Sequence, residues 1–176
     1  MTEAKSEHPL VVVMGVSGAG KSTIGVLVAD ALNVRFVDAD SLHPIANVAK
    51  MAAGTPLDDD DRWPWLAVVG RTLSDASSDG LVVACSALKR VYRDAIRAEV
   101  PEVIFLHLDG THAVLSRRLE GRTDHFMPTS LLDSQLSTLE RLQSDENGVV
   151  VDIDAPVPEV VAAAADAVVA RASRTV

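Results

Sequence analysis

Eight residues constrain this chain more than any other stretch: Gly15-Val16-Ser17-Gly18-Ala19-Gly20-Lys21-Ser22. Their spacing is G-x-x-x-x-G-K-[ST]. Before them runs Leu10-Val11-Val12-Val13-Met14, a continuous apolar run of the kind a buried parallel strand needs. After them, Ile24, Leu27, Val28, Ala31 and Leu32 recur at helical spacing and form one apolar face. The loop therefore joins a strand to a helix, the context in which this spacing builds a phosphate-binding loop.

The chemistry of such a loop is local. Glycine lets the backbone bend so that successive N–H groups point at phosphate oxygens. The helix N-terminus adds unpaired donors and a partial positive charge. Gly15, Ser17, Gly18, Ala19, Gly20, Lys21, Ser22 and Thr23 are the candidate nucleotide contacts. Lys21 is placed to reach the β- and γ-phosphates, and the Ser22 hydroxyl to bind Mg²⁺.

Strand-like and helix-like segments alternate along the rest of the 176 residues. The pattern predicts further strands at 35–38, 81–85, 103–108 and 149–153. It predicts helices at 48–53, 63–74, 89–98, 113–119, 131–142 and 157–169. That alternation implies an α/β fold, a parallel sheet covered by helices on both faces. Residues 1–8 read as a disordered tail without signal-peptide character, and 9–176 as a single domain. Two segments interrupt the alternation: 41–80, a candidate substrate lobe, and 120–130, a candidate mobile lid. Both leave from carboxyl ends of strands, where ligands of open α/β sheets bind.

The formal charge of −9 argues against a general nucleic-acid binder. Phosphate ligands then depend on local cations rather than on the field of the whole molecule. The one cysteine, Cys85, sits in an apolar run and reads as a buried, inert thiol. The absence of a long apolar run excludes a membrane helix, so the expected location is the cytoplasm.

Asp38 and Asp40 follow the second predicted strand, and alternation points both carboxylates the same way. One could hold a metal-bound water and the other accept a substrate hydroxyl proton. The competing structural reading is a strand-end turn or helix N-cap. His43, Lys50 and Arg62 suit an anionic or polyhydroxy substrate. Asp58–Asp61 reads as a helix N-terminus rather than a metal site, because acids there complement the dipole. Trp63 and Trp65 read as packing anchors. Ser86 would let a ligand approach the backbone. Lys89, Arg90 and Arg93 open a helix with charges that oppose its dipole, which an anionic ligand could offset. Arg118 and Arg122 suit a closing lid, where arginine can stabilise a transferring phosphoryl group. Arg117 reads as surface and His107 as structural.

Several blocks together resemble the gluconate kinase (gluconokinase) family of P-loop small-molecule kinases. They are Met14–Ser22, Asp40-Ser41-Leu42-His43-Pro44, Lys50-Met51, Gly54-Thr55-Pro56-Leu57 and Asp59-Asp60-Asp61-Arg62-Trp63-Pro64-Trp65-Leu66. They continue with Ala84-Cys85-Ser86-Ala87-Leu88-Lys89-Arg90-Val91-Tyr92-Arg93, His125-Phe126-Met127-Pro128 and Ser134-Gln135. The resemblance implies a three-layer P-loop NTPase fold like that of shikimate and adenylate kinases: a five-stranded parallel sheet of order 2-3-1-4-5, with a lid. It implies ATP- and Mg²⁺-dependent phosphorylation of D-gluconate on its terminal hydroxyl, and often a homodimer. It places Asp40 on the accepting hydroxyl, Ser22 and Asp38 on the metal side, and Lys21 and Arg122 on the transferring group. His43, Lys50, Arg62, Ser86, Lys89, Arg93, His125 and Gln135 fall to the substrate, and Arg118 to the adenine. The chain departs from the family at Asp124, where Gly is usual, and at Arg141, where Pro usually follows the Leu139-Glu140 pair. The rival readings are a kinase for another small acid or nucleotide, and a non-catalytic nucleotide sensor.

Overall fold

Each strand pairing in the sheet is parallel, and the strand order is β2-β3-β1-β4-β5. The computed structural model describes residues 8–121 and 129–174. In chain order the elements are β1 (Leu10–Met14), α1 (Lys21–Leu32), β2 (Arg35–Asp38), a 3₁₀ turn (Ala39–Leu42), α2 (Ile45–Ala52) and α3 (Asp59–Asp75). They continue with β3 (Leu81–Ala84), α4 (Arg90–Glu99), β4 (Ile104–Asp109), α5 (His112–Glu120), α6 (Thr129–Thr138), β5 (Gly148–Asp152) and α7 (Val157–Arg174).

The sheet separates two apolar layers, as period-2 alternation requires. Val11, Val13, Leu106 and Leu108 pack with Ile24, Val28, Val160 and Ala164 of α1 and α7. Val12, Met14, Val83 and Phe105 pack on the other face with Trp65, Leu66, Val69 and Ile96 of α3 and α4. β1 is buried along its whole length, so its carboxyl end holds the loop that follows against a fixed floor.

Every strand expected from sequence is present, with ends shifted by a residue, and the sheet has the expected order. Four helix boundaries differ more, among them the end of α7, which reaches Arg174 instead of 169. α2 starts at Ile45, directly after Pro44, which is at its N-cap. α3 starts at Asp59, because Asp58 and Asp61 form a reciprocal capping box that satisfies the first-turn donors. The helix expected over 131–142 ends at Thr138. Beyond it, tertiary bonds replace helical ones. The Glu140 amide donates to the Leu88 carbonyl at 2.7 Å, and its carboxylate accepts from the Arg90 amide at 3.0 Å.

Candidate active site

The loop between β1 and α1 needs glycine where its backbone is left-handed. Gly18 has φ 85°, and a Cβ there would meet the Leu119 side chain at 2.9 Å. Gly20, with φ 87°, caps α1 without a side-chain bond, so the first-turn amides of the helix are open toward the loop. A cavity of about 300 Å³ lies over this loop, lined by Ser17, Gly18, Gly20, Lys21, Ser22, Asp38, Asp40, Ala84, Cys85, Ser86 and Gln135.

Five elements converge on that cavity. Lys21 Nζ donates to the Val16 carbonyl at 3.2 Å, which curls the side chain back along the loop. Ser22 Oγ donates to Asp38 Oδ2 at 2.9 Å. Asp38 Oδ1 accepts from the Asp40 amide at 3.0 Å. The N-cap reading of Asp38 is realised: one oxygen caps the 3₁₀ turn, and the other accepts from Ser22. Ser86 closes the floor by accepting the Gly15 amide at 3.3 Å through its carbonyl. Gln135, from α6, accepts the Ser17 amide at 2.7 Å.

The donor set suits Mg²⁺. A hydroxyl and a carboxylate are hard oxygen ligands, and Mg²⁺ commonly takes one or two of these with water and phosphate oxygens. Among the described residues no group of three or more His, Cys, Asp or Glu side chains is arranged to hold a metal by protein ligands alone.

A second pair of hollows continues from the other side of the loop. One, of about 240 Å³, is lined by Gly18, Gly20, Thr23, Ile24, Arg117, Arg118, Gly121 and Val157. The other, of about 460 Å³, runs on past Val114 and Arg118 to Ile153, Asp154, Ala155 and Pro156. Arg118 bridges them and donates to the Ile153 carbonyl at 2.5 Å. Arg117 is exposed, with Asp154 at 4.0 Å.

Beyond Asp40 the 41–80 segment builds a polar wall on an aromatic base. Trp65 is buried and donates its indole N–H to the Ala39 carbonyl at 2.8 Å. His43 stacks on it at 4.2 Å between ring centroids. Burial pushes the His43 pKa below its ordinary value, against the opposing pull of Asp40. In the neutral ring, Nδ1 accepts from Asn47 Nδ2 at 3.2 Å, so Nε2 carries the proton and is a donor. Lys50 pairs with Asp61 at 2.7 Å.

Sequence reasoning missed Asp59 and Tyr92. Tyr92 donates to Asp59 Oδ1 at 2.6 Å, and Arg62 Nη1 donates to the same oxygen at 3.2 Å. The Tyr92 bond, followed by Lys89 and Arg62, holds the Asp59 carboxyl below the usual carboxylate range. The Lys89 ammonium lies 5.5 Å from the Tyr92 ring centroid, and the Arg62 guanidinium 5.7 Å. Asp59 was hidden in a run of four acids, each of which fits a helix N-terminus. Only its i, i+3 spacing to Arg62 pointed to a partner.

Two sequence expectations need correction. Arg93 does not face the substrate wall: it is fully buried and pairs with Glu146 at 2.6 Å. Its Nη1 donates to the carbonyls of Ala87 at 2.9 Å and Leu88 at 3.3 Å. Arg90 likewise meets protein carboxylates, Asp94 and Asp145. The charges of Arg90 and Arg93 are thus offset from within, while the Lys89 ammonium faces the Tyr92 ring. Arg122 and His125 lie outside the described residues. Cys85 is buried, and burial pushes its thiol up to about 12, which leaves it inert as a nucleophile.

The comparisons with known proteins agree with this geometry. The shikimate kinase family pattern matches residues 17–171. The chain is 43% identical over 169 residues to the thermoresistant gluconokinase of Escherichia coli K12, covering 92% of this chain and 94% of that one. It is 46% identical over 152 residues to the gluconokinase of Gluconobacter oxydans 621H, covering 83% and 85%. The crystal structure of a gluconokinase from Sinorhizobium meliloti 1021 superposes with a TM-score of 0.79 at 46% identity, over 95% of this chain and 93% of that one. Matched over nearly its whole length at more than 40% identity, the chain belongs to the gluconokinase family of shikimate-kinase-like P-loop kinases.

Proposed function

We propose that this protein transfers the γ-phosphoryl group of ATP to the terminal hydroxyl of D-gluconate, with Mg²⁺, giving 6-phospho-D-gluconate. The observation that carries the reading is the convergence of Lys21, the Ser22–Asp38 pair and Asp40 on one cavity. It lies between a nucleoside-sized hollow at Arg118 and the polar wall at His43 and Arg62.

Phosphoryl transfer asks for positioning and charge stabilisation more than for covalent chemistry. The open amides of Gly20 and the first turn of α1 bind phosphate oxygens, and Lys21 swings from the Val16 carbonyl to the β- and γ-phosphates. Ser22 and Asp38 would hold Mg²⁺, which neutralises charge on the bridging oxygens when bound. Asp40 accepts the hydroxyl hydrogen bond and orients the attacking oxygen in line. Because the transition state is loose, Asp40 acts chiefly by orientation, and proton removal follows late. On the far wall, His43 Nε2–H, Arg62 and Lys89 meet the hydroxyls and carboxylate of the acid. Asp59 accepts from both Arg62 and Tyr92 and so fixes the guanidinium beside the Tyr92 ring.

The test is ADP release with a panel of sugar acids and with nucleoside monophosphates. Gluconate-dependent ADP formation supports the reading. Release with another acceptor, and none with gluconate, would move it to a different kinase. Binding of ATP with no turnover on any acceptor would leave a nucleotide sensor.

A further inference from the structure

The Gln135 side chain reaches into the phosphate loop from a helix far away in sequence. Its Oε1 accepts the Ser17 backbone N–H at 2.7 Å, a contact between residues 118 positions apart. A backbone amide of a phosphate loop is a donor built for a phosphate oxygen. Here a carboxamide oxygen holds it instead.

The place of that amide identifies which phosphate it serves. Ser17 lines the cavity shared with Asp38, Asp40 and Ser86, at the acceptor end of the loop. Gly18 and Gly20 line both this cavity and the hollow at Thr23 and Arg118, whereas Ser17 lines only the cavity with Asp40. A phosphate that came to Ser17 would thus be the terminal one of a triphosphate. A diphosphate fills the inner loop and leaves the Ser17 amide to Gln135.

The carboxamide is delivered by a well-anchored helix. Leu132, three residues earlier on α6, is fully buried in the core layer under α1 and α7. Asp133 bonds His112 of α5 at 2.7 Å, and the chain after the helix is tied to Leu88 by the Glu140 amide. Gln135 is therefore an intramolecular competitor held in place rather than a loose surface group.

We propose that Gln135 sets the discrimination between nucleoside triphosphate and diphosphate by occupying the site of a γ-phosphoryl oxygen. ATP must displace Oε1 from the Ser17 amide, whereas ADP need not. The contact weakens ATP relative to ADP. This rests on the phosphate loop binding a nucleotide, as in the proposed function, but not on gluconate being the acceptor.

The experiment measures affinities for ADP and for a non-hydrolysable ATP analogue by calorimetry, with Mg²⁺ and without acceptor. It compares the wild type with Gln135→Ala and Gln135→Glu. One lost hydrogen bond corresponds to roughly a three- to tenfold change. Gln135→Ala is expected to tighten the analogue by about that factor and to leave ADP unchanged. Gln135→Glu keeps the bond and adds repulsion, so it is expected to weaken the analogue about tenfold or more and ADP far less. A weaker analogue in Gln135→Ala, or equal changes for both nucleotides in either variant, overturns the proposal. Thermal melting checks folding, and Gln135→Met replaces the alanine variant if that one melts early. Failure of every sugar acid as acceptor would overturn the proposed function and leave this affinity ratio standing.

Discussion

Ser22 and Asp38 share a hydrogen bond of 2.9 Å although one opens α1 and the other ends β2. The parallel sheet explains the meeting. β3 separates β1 from β2, and the carboxyl ends of all three strands point the same way. Asp38 pairs in register with Ala84, and Ala84 with Val13, so Asp38 lies level with the strand end that launches the phosphate loop. Small residues at Ala84 and Ser86 leave the space between open. Under the proposed function, this bond would hold Asp38 and Ser22 together in advance of a cation and so lower the ordering cost of its binding.

Asp38→Asn should therefore act on the metal. The amide keeps the shape and loses the charge, so half-saturating Mg²⁺ should rise about tenfold or more, as expected for weakening a metal's carboxylate partner. Initial rates over a Mg²⁺ titration at saturating ATP read this directly. An unchanged Mg²⁺ requirement with a lower maximal rate would remove Asp38 from the metal side.

Asp40 predicts the opposite separation. It bonds the turn through its amide, so the carboxylate is free of that structural duty. Asp40→Asn should lower kcat by about 10²-fold, the low end of the range for a positioned acid–base group, with ATP affinity within about twofold. Equal losses in turnover and in nucleotide affinity would place Asp40 with the nucleotide instead of the acceptor.

Arg93 and Glu146 give a prediction about stability. Both side chains are almost wholly buried, and the pair joins α4 to the loop before β5. Gln143 adds its amide to Glu146 at 2.8 Å. Burial would raise the Glu146 pKa, yet the bonds from Arg93 and Gln143 outweigh it and hold the carboxyl below its ordinary value. Arg93→Met leaves the buried Glu146 with only Arg90 at 3.9 Å as a cation, and should cost about 3 kcal/mol in urea unfolding, the low end for a broken buried pair. Arg93→Met combined with Glu146→Leu should recover most of that loss.

Sequence patterns carried the sheet because it depends on apolar runs, and the phosphate loop because it depends on three glycines and a lysine at fixed spacing. Alternation brought Asp38 and Asp40 to notice, but Asp40 lies in the 3₁₀ turn beyond the strand, so strand periodicity does not place it. The roles of Arg93 and Tyr92 were not legible. Both lie in the block after β3, on the same helix, at adjacent positions, with nothing local to say which one faces the core. The answer lies with Glu146 and Asp59, 53 residues later and 33 earlier. The early end of α6 is of the same kind: helical propensity continues past Thr138, and tertiary bonds from Glu140 overrule it.

His107 supplies a pH dependence. It sits buried in β4 between Met14 of β1 and Val150 of β5, and its Nδ1 has no hydrogen-bond partner among the described residues. Burial pushes its pKa down; Asp109 opposes this, while Arg141 and Arg93 add to it. Below the ordinary histidine value of about 6.5 the unfolded chain takes up a proton that the folded one refuses. Stability is thus complete above about pH 6.5 and falls as pH drops toward the lowered folded value, by at most about 1.4 kcal/mol per unit for this one group. His43 shifts the same way and adds its own share. His107→Leu, which removes the titrating ring and the orphaned nitrogen together, should reduce the difference in unfolding free energy between pH 7.5 and pH 5.5 while leaving the pH 7.5 value little changed. Urea titrations of both proteins at the two pH values decide it. An identical pH difference in the variant would show that the acid sensitivity arises elsewhere.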